Sequence, residues 1–150
     1  MKTIKIVNTE KANEITKYCN ALLNPAKDYF KKAPEAIVDE KWNLSFNFVF
    51  KISSQSISPT LTIPICSVGD VEDGADLCWA VGSKLAMSVH LYDALWDVLN
   101  KFSLDPLAVD EVWSTINEVF PQIAMAFSQM AFSHEACQSD EKKGAKVFCD

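Results

Sequence analysis

The chain has 150 residues, 49% of them hydrophobic and 23% charged, with a net charge of −6, the composition of one globular domain and not of a disordered chain. All fourteen basic residues are lysine; lacking arginine's planar fork and net acidic, the chain is a poor binder of the DNA or RNA backbone. Only four glycines are present (Gly69, Gly74, Gly82, Gly144), so neither a G-x-G-x-x-G loop, a Walker loop nor a G-x-S-x-G elbow can be written.

Lys11, Glu14 and Lys17 interrupt the place where a signal peptide needs an apolar run, and no uncharged apolar stretch approaches the ~20 residues that span a bilayer. Export and membrane insertion are not expected, and the reading is cytoplasmic. The five cysteines (Cys19, Cys66, Cys78, Cys137, Cys149) form an odd set without a C-x-x-C pair, as reduced thiols would. Charge is uneven. Residues 1–50 carry eight lysines and six acids, residues 51–150 six lysines and fourteen acids.

In chain order, residues 3–7 form a short β-branched run and are expected as a strand, with Asn8 or Thr9 capping a helix after it. Ala12, Ile15, Cys19, Leu22 and Leu23 recur at helical spacing and define its buried face. Pro25 suits the first turn of a second short helix capped by Asn24, with Tyr29 and Phe30 facing inward and Pro34 ending it. Trp42, Leu44, Phe46, Phe48, Phe50 and Ile52 then alternate with mostly polar partners. Only a strand with one face buried gathers those six side chains.

Residues 53–58 read as a polar loop. Leu61, Ile63 and Ile65 alternate again, and Pro64, which lacks an N–H, points to an edge strand or a bulge. A turn follows at residues 69–74. Leu77, Trp79 and Val81 alternate as a third strand of this kind would, although the same residues also fit a helix running to Phe102. Gly82-Ser83 favours a strand, then a helix from Ser83 with Leu85, Tyr92, Leu95, Leu99 and Phe102 at helical steps. Asp105-Pro106 marks the next helix start, with Val109, Val112, Trp113, Ile116 and Val119 or Phe120 as its buried stripe. Pro121 is expected to break or kink it. A last helix, residues 122–132, is apolar nearly all round, and residues 138–150 read as a polar tail. The expected architecture is a single α+β domain over residues 1–150, a small antiparallel sheet of three to four strands with helices packed on one face.

Candidate chemistry is sparse. Asp70, Glu72, Asp73 and Asp76 invite a calcium reading, but Gly74 follows Asp70 by four residues where an EF-hand needs five. The cluster reads as a solvated turn whose Asp73 caps the next element. His90, Asp93 and Asp97 share one helix face, as a metal site or general base needs, and as a plain solvent face also does. His134, Cys137 and Cys149 supply three of the four ligands a zinc site requires, on a polar tail; Cys137 beside His134 also has the spacing of a weak nucleophile pair. Met125, Phe127, Met130 and Phe132 cannot all face one small core from a regular helix, so that helix is either central or a contact surface.

These features favour a non-catalytic acidic binding module of inhibitor, immunity or adaptor type. Asp70, Glu72, Asp73 and Asp76 would steer a basic partner protein, and Met125, Phe127, Met130 and Phe132 would supply contact area, to that partner or to a second copy in a homodimer. No cofactor, catalytic residue or metal is assigned. Two alternatives remain: a small hydrolase or metal-dependent enzyme using His90, Asp93 and Asp97 or His134 and Cys137, and a module binding an apolar ligand between the strand at residues 42–52 and the helices.

Overall fold

Alternation of apolar side chains makes the strand at the centre of the sheet. Leu44, Phe46, Phe48 and Phe50 are each no more than 1% exposed, whereas Asn43 is exposed and Ser45, Asn47 and Val49 are only half-buried. This is the burial pattern that a strand with one wet face must show. The computed structural model describes the backbone of residues 2–86 and 88–140, and side-chain surroundings over residues 9–86 and 93–129.

Three strands, β1 (Glu35–Val38), β2 (Asn43–Val49) and β3 (Thr60–Ser67), form an antiparallel sheet in the order β1-β2-β3. Phe46 pairs with Ala36 on one side and Ile63 on the other. Between Leu44 and Ser45 the β3 partner moves from Cys66 to Pro64, leaving Ile65 as the extra residue of a bulge. Pro64 therefore stands on an edge strand beside a bulge, as its missing N–H requires. On the other edge, the Ala36 amide donates to Asn20 Oδ1 at 2.8 Å instead of to a further strand.

A tight turn joins β1 to β2. Asp39 Oδ1 accepts from the amides of Lys41 (2.8 Å) and Asn43 (2.9 Å), and these donors, Asn43 foremost, hold the Asp39 carboxyl below the usual range. Trp42, expected to open the strand, lies just outside it with φ 64 and is half-buried. A bulky residue at positive φ is uncommon; here the turn and the bond from the Val68 amide to the Trp42 carbonyl (2.8 Å) hold it.

Among the described residues four helices complete the α+β fold: α1 (Lys2–Leu23), α2 (Gly74–Ala86), α3 (Ser88–Phe102) and α4 (Pro106–Asp140). They pack on the apolar face of the sheet, α1 against β1 and α3 against β3, while α2 and α4 pack mainly on each other. Ala12, Ile15, Cys19 and Leu23 of α1 are buried at the expected spacing. Phe30, Phe48, Phe50 and Phe120 form the centre, with ring centroids 5.3 Å (Phe30–Phe48), 5.5 Å (Phe30–Phe50) and 4.7 Å (Phe48–Phe120) apart.

Several expectations need correction. Residues 3–7 are helical, and Asn8 and Thr9 fall inside α1. A lone five-residue strand would leave its backbone groups unpaired, whereas adding turns to an existing helix satisfies them at little cost. The segment after α1 is a 3-10 turn, Asn24–Tyr29, whose N-cap position is Leu23 and carries no side-chain cap; Asn24 does not cap it. Tyr29 is 38% exposed, because the chain turns extended at Phe30 and adjacent side chains then point opposite ways.

Residues 77–81 belong to helix α2. Leu77, Cys78, Val81 and Leu85 are its buried stripe, and Gly82 lies within the helix without acting as a boundary. Pro121 neither breaks nor ends α4. Pro121 and Asn117, whose carbonyl it leaves without its helical donor, both lie on the exposed side, where water can serve that group. Gln122 Nε2 meanwhile reaches the neighbouring Glu118 carbonyl at 2.9 Å. The separate helix expected over residues 122–132 is thus the continuation of α4, which runs to Asp140 and so includes the first residues of the expected tail. Residues 141–150 lie outside the described residues.

Candidate interaction site

The acidic turn is built by local backbone chemistry. Asp73 Oδ1 accepts from the Asp76 amide at 3.0 Å, and Asp76 Oδ2 accepts from the Glu72 amide at 3.0 Å. The first bond caps α2, and the second reaches one residue beyond the cap, so two of the four carboxylates are committed to backbone amides at the helix start. The cap expected of Asp73 is present. Asp70 and Glu72 remain exposed at the mouth of the helix, and Asp76 is exposed as well.

Trp79 stands one turn further along α2. Its place three residues after Asp76 puts the indole beside that carboxylate on the solvent side, because the stripe through Leu77, Cys78, Val81 and Leu85 takes the other side. The indole is 69% exposed. A side chain of that size is normally a large part of whatever it packs against. Trp96 of α3 is 65% exposed, near the exposed Asp93 and Asp97 on the same helix.

The expected contact residues of α4 divide. Phe127 is fully buried, edge-on to Tyr18 (centroids 6.5 Å, interplanar angle 81°) and 5.8 Å from Phe46. It is a core residue. Met125 is 61% exposed, and Ile123 is buried. As far as residue 129, α4 therefore has one buried and one solvent face, which answers for that stretch whether it is central. The side chains of Met130 and Phe132 lie outside the described residues, as do those of His90, His134, Cys137 and Cys149.

Among the described residues no three His, Cys, Asp or Glu side chains are placed to hold a metal ion. Cys19, Cys66 and Cys78 are free thiols. Burial pushes Cys19 well above the usual thiol range, and likewise raises Cys66 and Cys78 to about 11 each, although the Tyr18 hydroxyl, 3.8 Å from Cys78 Sγ, opposes the rise there. Protonated thiols of this kind are inert. Between the aromatic strand and α4, the rings of Phe48 and Phe120 pack with centroids 4.7 Å apart. Among the described residues no helix is long and apolar enough to cross a membrane.

Trp79 was missed as a surface residue because Leu77-x-Trp79-x-Val81 also scans as a strand. The signal that could have found it is the four-residue helical stripe from Leu77 to Leu85, which excludes position 79. No family model matches the chain, and no curated protein or solved structure matches it significantly.

Proposed function

We propose that this chain is a non-catalytic binding module, of inhibitor, immunity or adaptor type, that docks onto a partner protein through the exposed face at the start of α2. The observation that carries the reading is the 69% exposure of Trp79 beside Asp76, with Asp70 and Glu72 at the adjoining turn. An exposed tryptophan one helical turn from an acidic turn matches the composition of a binding hot spot with a charged flank, and that flank asks for a basic partner. Covering the exposed part of an indole side chain of about 150–250 Å² at about 25 cal/mol/Å² contributes roughly 3–4 kcal/mol, enough to dominate a small interface. Self-association through this face is disfavoured by like charge.

The test is affinity capture from the native host with the whole chain as bait, alongside Trp79→Ala and the charge reversal Asp70→Lys with Glu72→Lys. A basic protein should be retained by the natural chain, lost with Trp79→Ala, and bound more slowly by the charge-reversed chain and at high salt. Capture that survives Trp79→Ala unchanged would refute this assignment.

A further inference from the structure

The loop between β2 and β3 is tied down by groups distant in sequence. Glu111 of α4 accepts four hydrogen bonds from it: Ser53 N (2.8 Å), Ser53 Oγ (2.7 Å), Ser54 N (3.0 Å) and Ser54 Oγ (2.6 Å). These donors, the Ser54 hydroxyl foremost, hold the Glu111 carboxyl down at about 2. Gln55 Oε1 accepts from the Asp105 amide at 2.8 Å, and the Phe50 amide donates to the Pro59 carbonyl at 2.9 Å, closing the base of the loop.

This braced loop forms one wall of an open cleft of about 400 Å³, whose lining includes Lys31, Lys51, Gln55, Ser56 and Ser58. The backbone places both lysines there. Phe30 and Phe50 are bridge partners and point into the core, so their neighbours Lys31 and Lys51 leave from the opposite face. The Lys31 amide donates to the Val49 carbonyl, which sets Lys51 diagonal to Lys31, about 7–8 Å away on the same face.

Lys51 Nζ donates to the Asp28 carbonyl at 2.6 Å, which fixes the ammonium and leaves it two further N–H groups. Among the described residues the Lys31 ammonium has no partner. Because Asp105 occupies the Gln55 carbonyl oxygen, the amide NH2 is what Gln55 has left to offer. Among the described residues no carboxylate lines this cleft. Lys51 also borders a second cleft of about 510 Å³, lined by Asp110 and Glu111, whereas Lys31 belongs to the carboxylate-free cleft alone.

We propose that the Lys31–Lys51 cleft binds a phosphate dianion, either free or as the head of a small organic monoester. Two ammonium charges match two negative charges, and lysine serves phosphate as a point charge without needing arginine's fork. The Ser56 and Ser58 hydroxyls and the Gln55 amide supply neutral donors, on a loop anchored at Ser53 and Ser54 by Glu111 and at Gln55 by the Asp105 amide. This is not a glycine-rich cradle, and it does not share residues with the Trp79 surface.

The experiment titrates the whole chain with sodium phosphate at ionic strength held constant by sodium chloride, followed by two-dimensional amide NMR. Saturable shifts at millimolar phosphate should be confined to Lys31, Lys51 and residues 55–58. Lys31→Gln with Lys51→Gln should weaken binding at least tenfold; should that pair unfold the chain, the exposed Lys31→Gln alone should still weaken it severalfold. Glycerol phosphate is the second probe: tighter binding than inorganic phosphate assigns the site to an organic monoester, and equal binding to free phosphate. Absence of saturable shifts with either probe, or shifts that survive loss of the lysine charge, would overturn the proposal.

Discussion

Phe127 and Met125 lie two residues apart on α4, and truncating each should have very different consequences. Phe127 is fully buried, with Tyr18 edge-on at 6.5 Å and Phe46 at 5.8 Å, so Phe127→Ala removes the ring's transfer free energy and leaves a cavity between α1, α4 and the sheet. Such a change costs about 3–5 kcal/mol, of which each lost aromatic contact accounts for roughly 0.5–1.5 kcal/mol. Against a total stability of about 5–15 kcal/mol for a domain, that brings the variant close to unfolding. At roughly 2–4 °C per kcal/mol for a chain of this size, the melting temperature should fall by about 6–20 °C. Met125→Ala removes a side chain that is 61% exposed and should stay within about 0.5 kcal/mol of the natural chain. Urea unfolding of both variants, with m compared to that of the natural chain, separates the cases. A Phe127→Ala cost below about 1 kcal/mol, or a Met125→Ala cost as large as that of Phe127→Ala, would refute the placement of this helix face in the core.

A Cβ added to Gly82 meets nothing within 4 Å, so Gly82→Ala in the body of α2 should stabilise by about 0.5–1 kcal/mol, seen as a raised urea midpoint. Cys66 and Cys78 are held protonated to about 11 in the folded chain, and Cys19 is raised well beyond the usual range. Their folded values exceed the unfolded ones, so the stability linked to them is fully present below the ordinary thiol range and is lost as pH rises through it towards 11. Urea midpoints should therefore fall on the alkaline side, and mass spectrometry should find these three cysteines slow to alkylate near neutral pH. Rapid alkylation of Cys19 in the folded chain would contradict its burial.

The sheet was legible because period-two burial over a long strand has no helical equivalent: Leu44, Phe46, Phe48 and Phe50 share one side only in extended backbone. Pro64 gave away its edge position by lacking a donor, and Asp105-Pro106 gave away the start of α4, where Asp105 Oδ1 accepts from the Ala108 amide at 2.8 Å. Short segments were less legible. Residues 3–7 and 77–81 each offer only a few alternating or β-branched positions, which a neighbouring helix absorbs when it can extend through them. Pro121 was legible as a residue and not in its effect, since the cost of a proline depends on whether the carbonyl it abandons meets water or core. Of the site, the acidic residues and their capping role were readable from spacing. The Glu111 clasp was not, because 58 residues separate Ser53 from its acceptor and no local pattern encodes that meeting.

The two margins of the sheet have a consequence for how this chain behaves when crowded with its own copies. An unpaired strand edge invites another strand, and fibrillar growth proceeds by that addition. Here the Asn20 side chain occupies the Ala36 amide on one margin, while the other carries Pro64 and the Ile65 bulge, which withhold a donor and bend the strand. Neither margin offers an unbroken ladder to a newcomer. A polar amide and a single ring nitrogen thus help to keep a strand as rich in phenylalanine as β2 from becoming the seed of an aggregate.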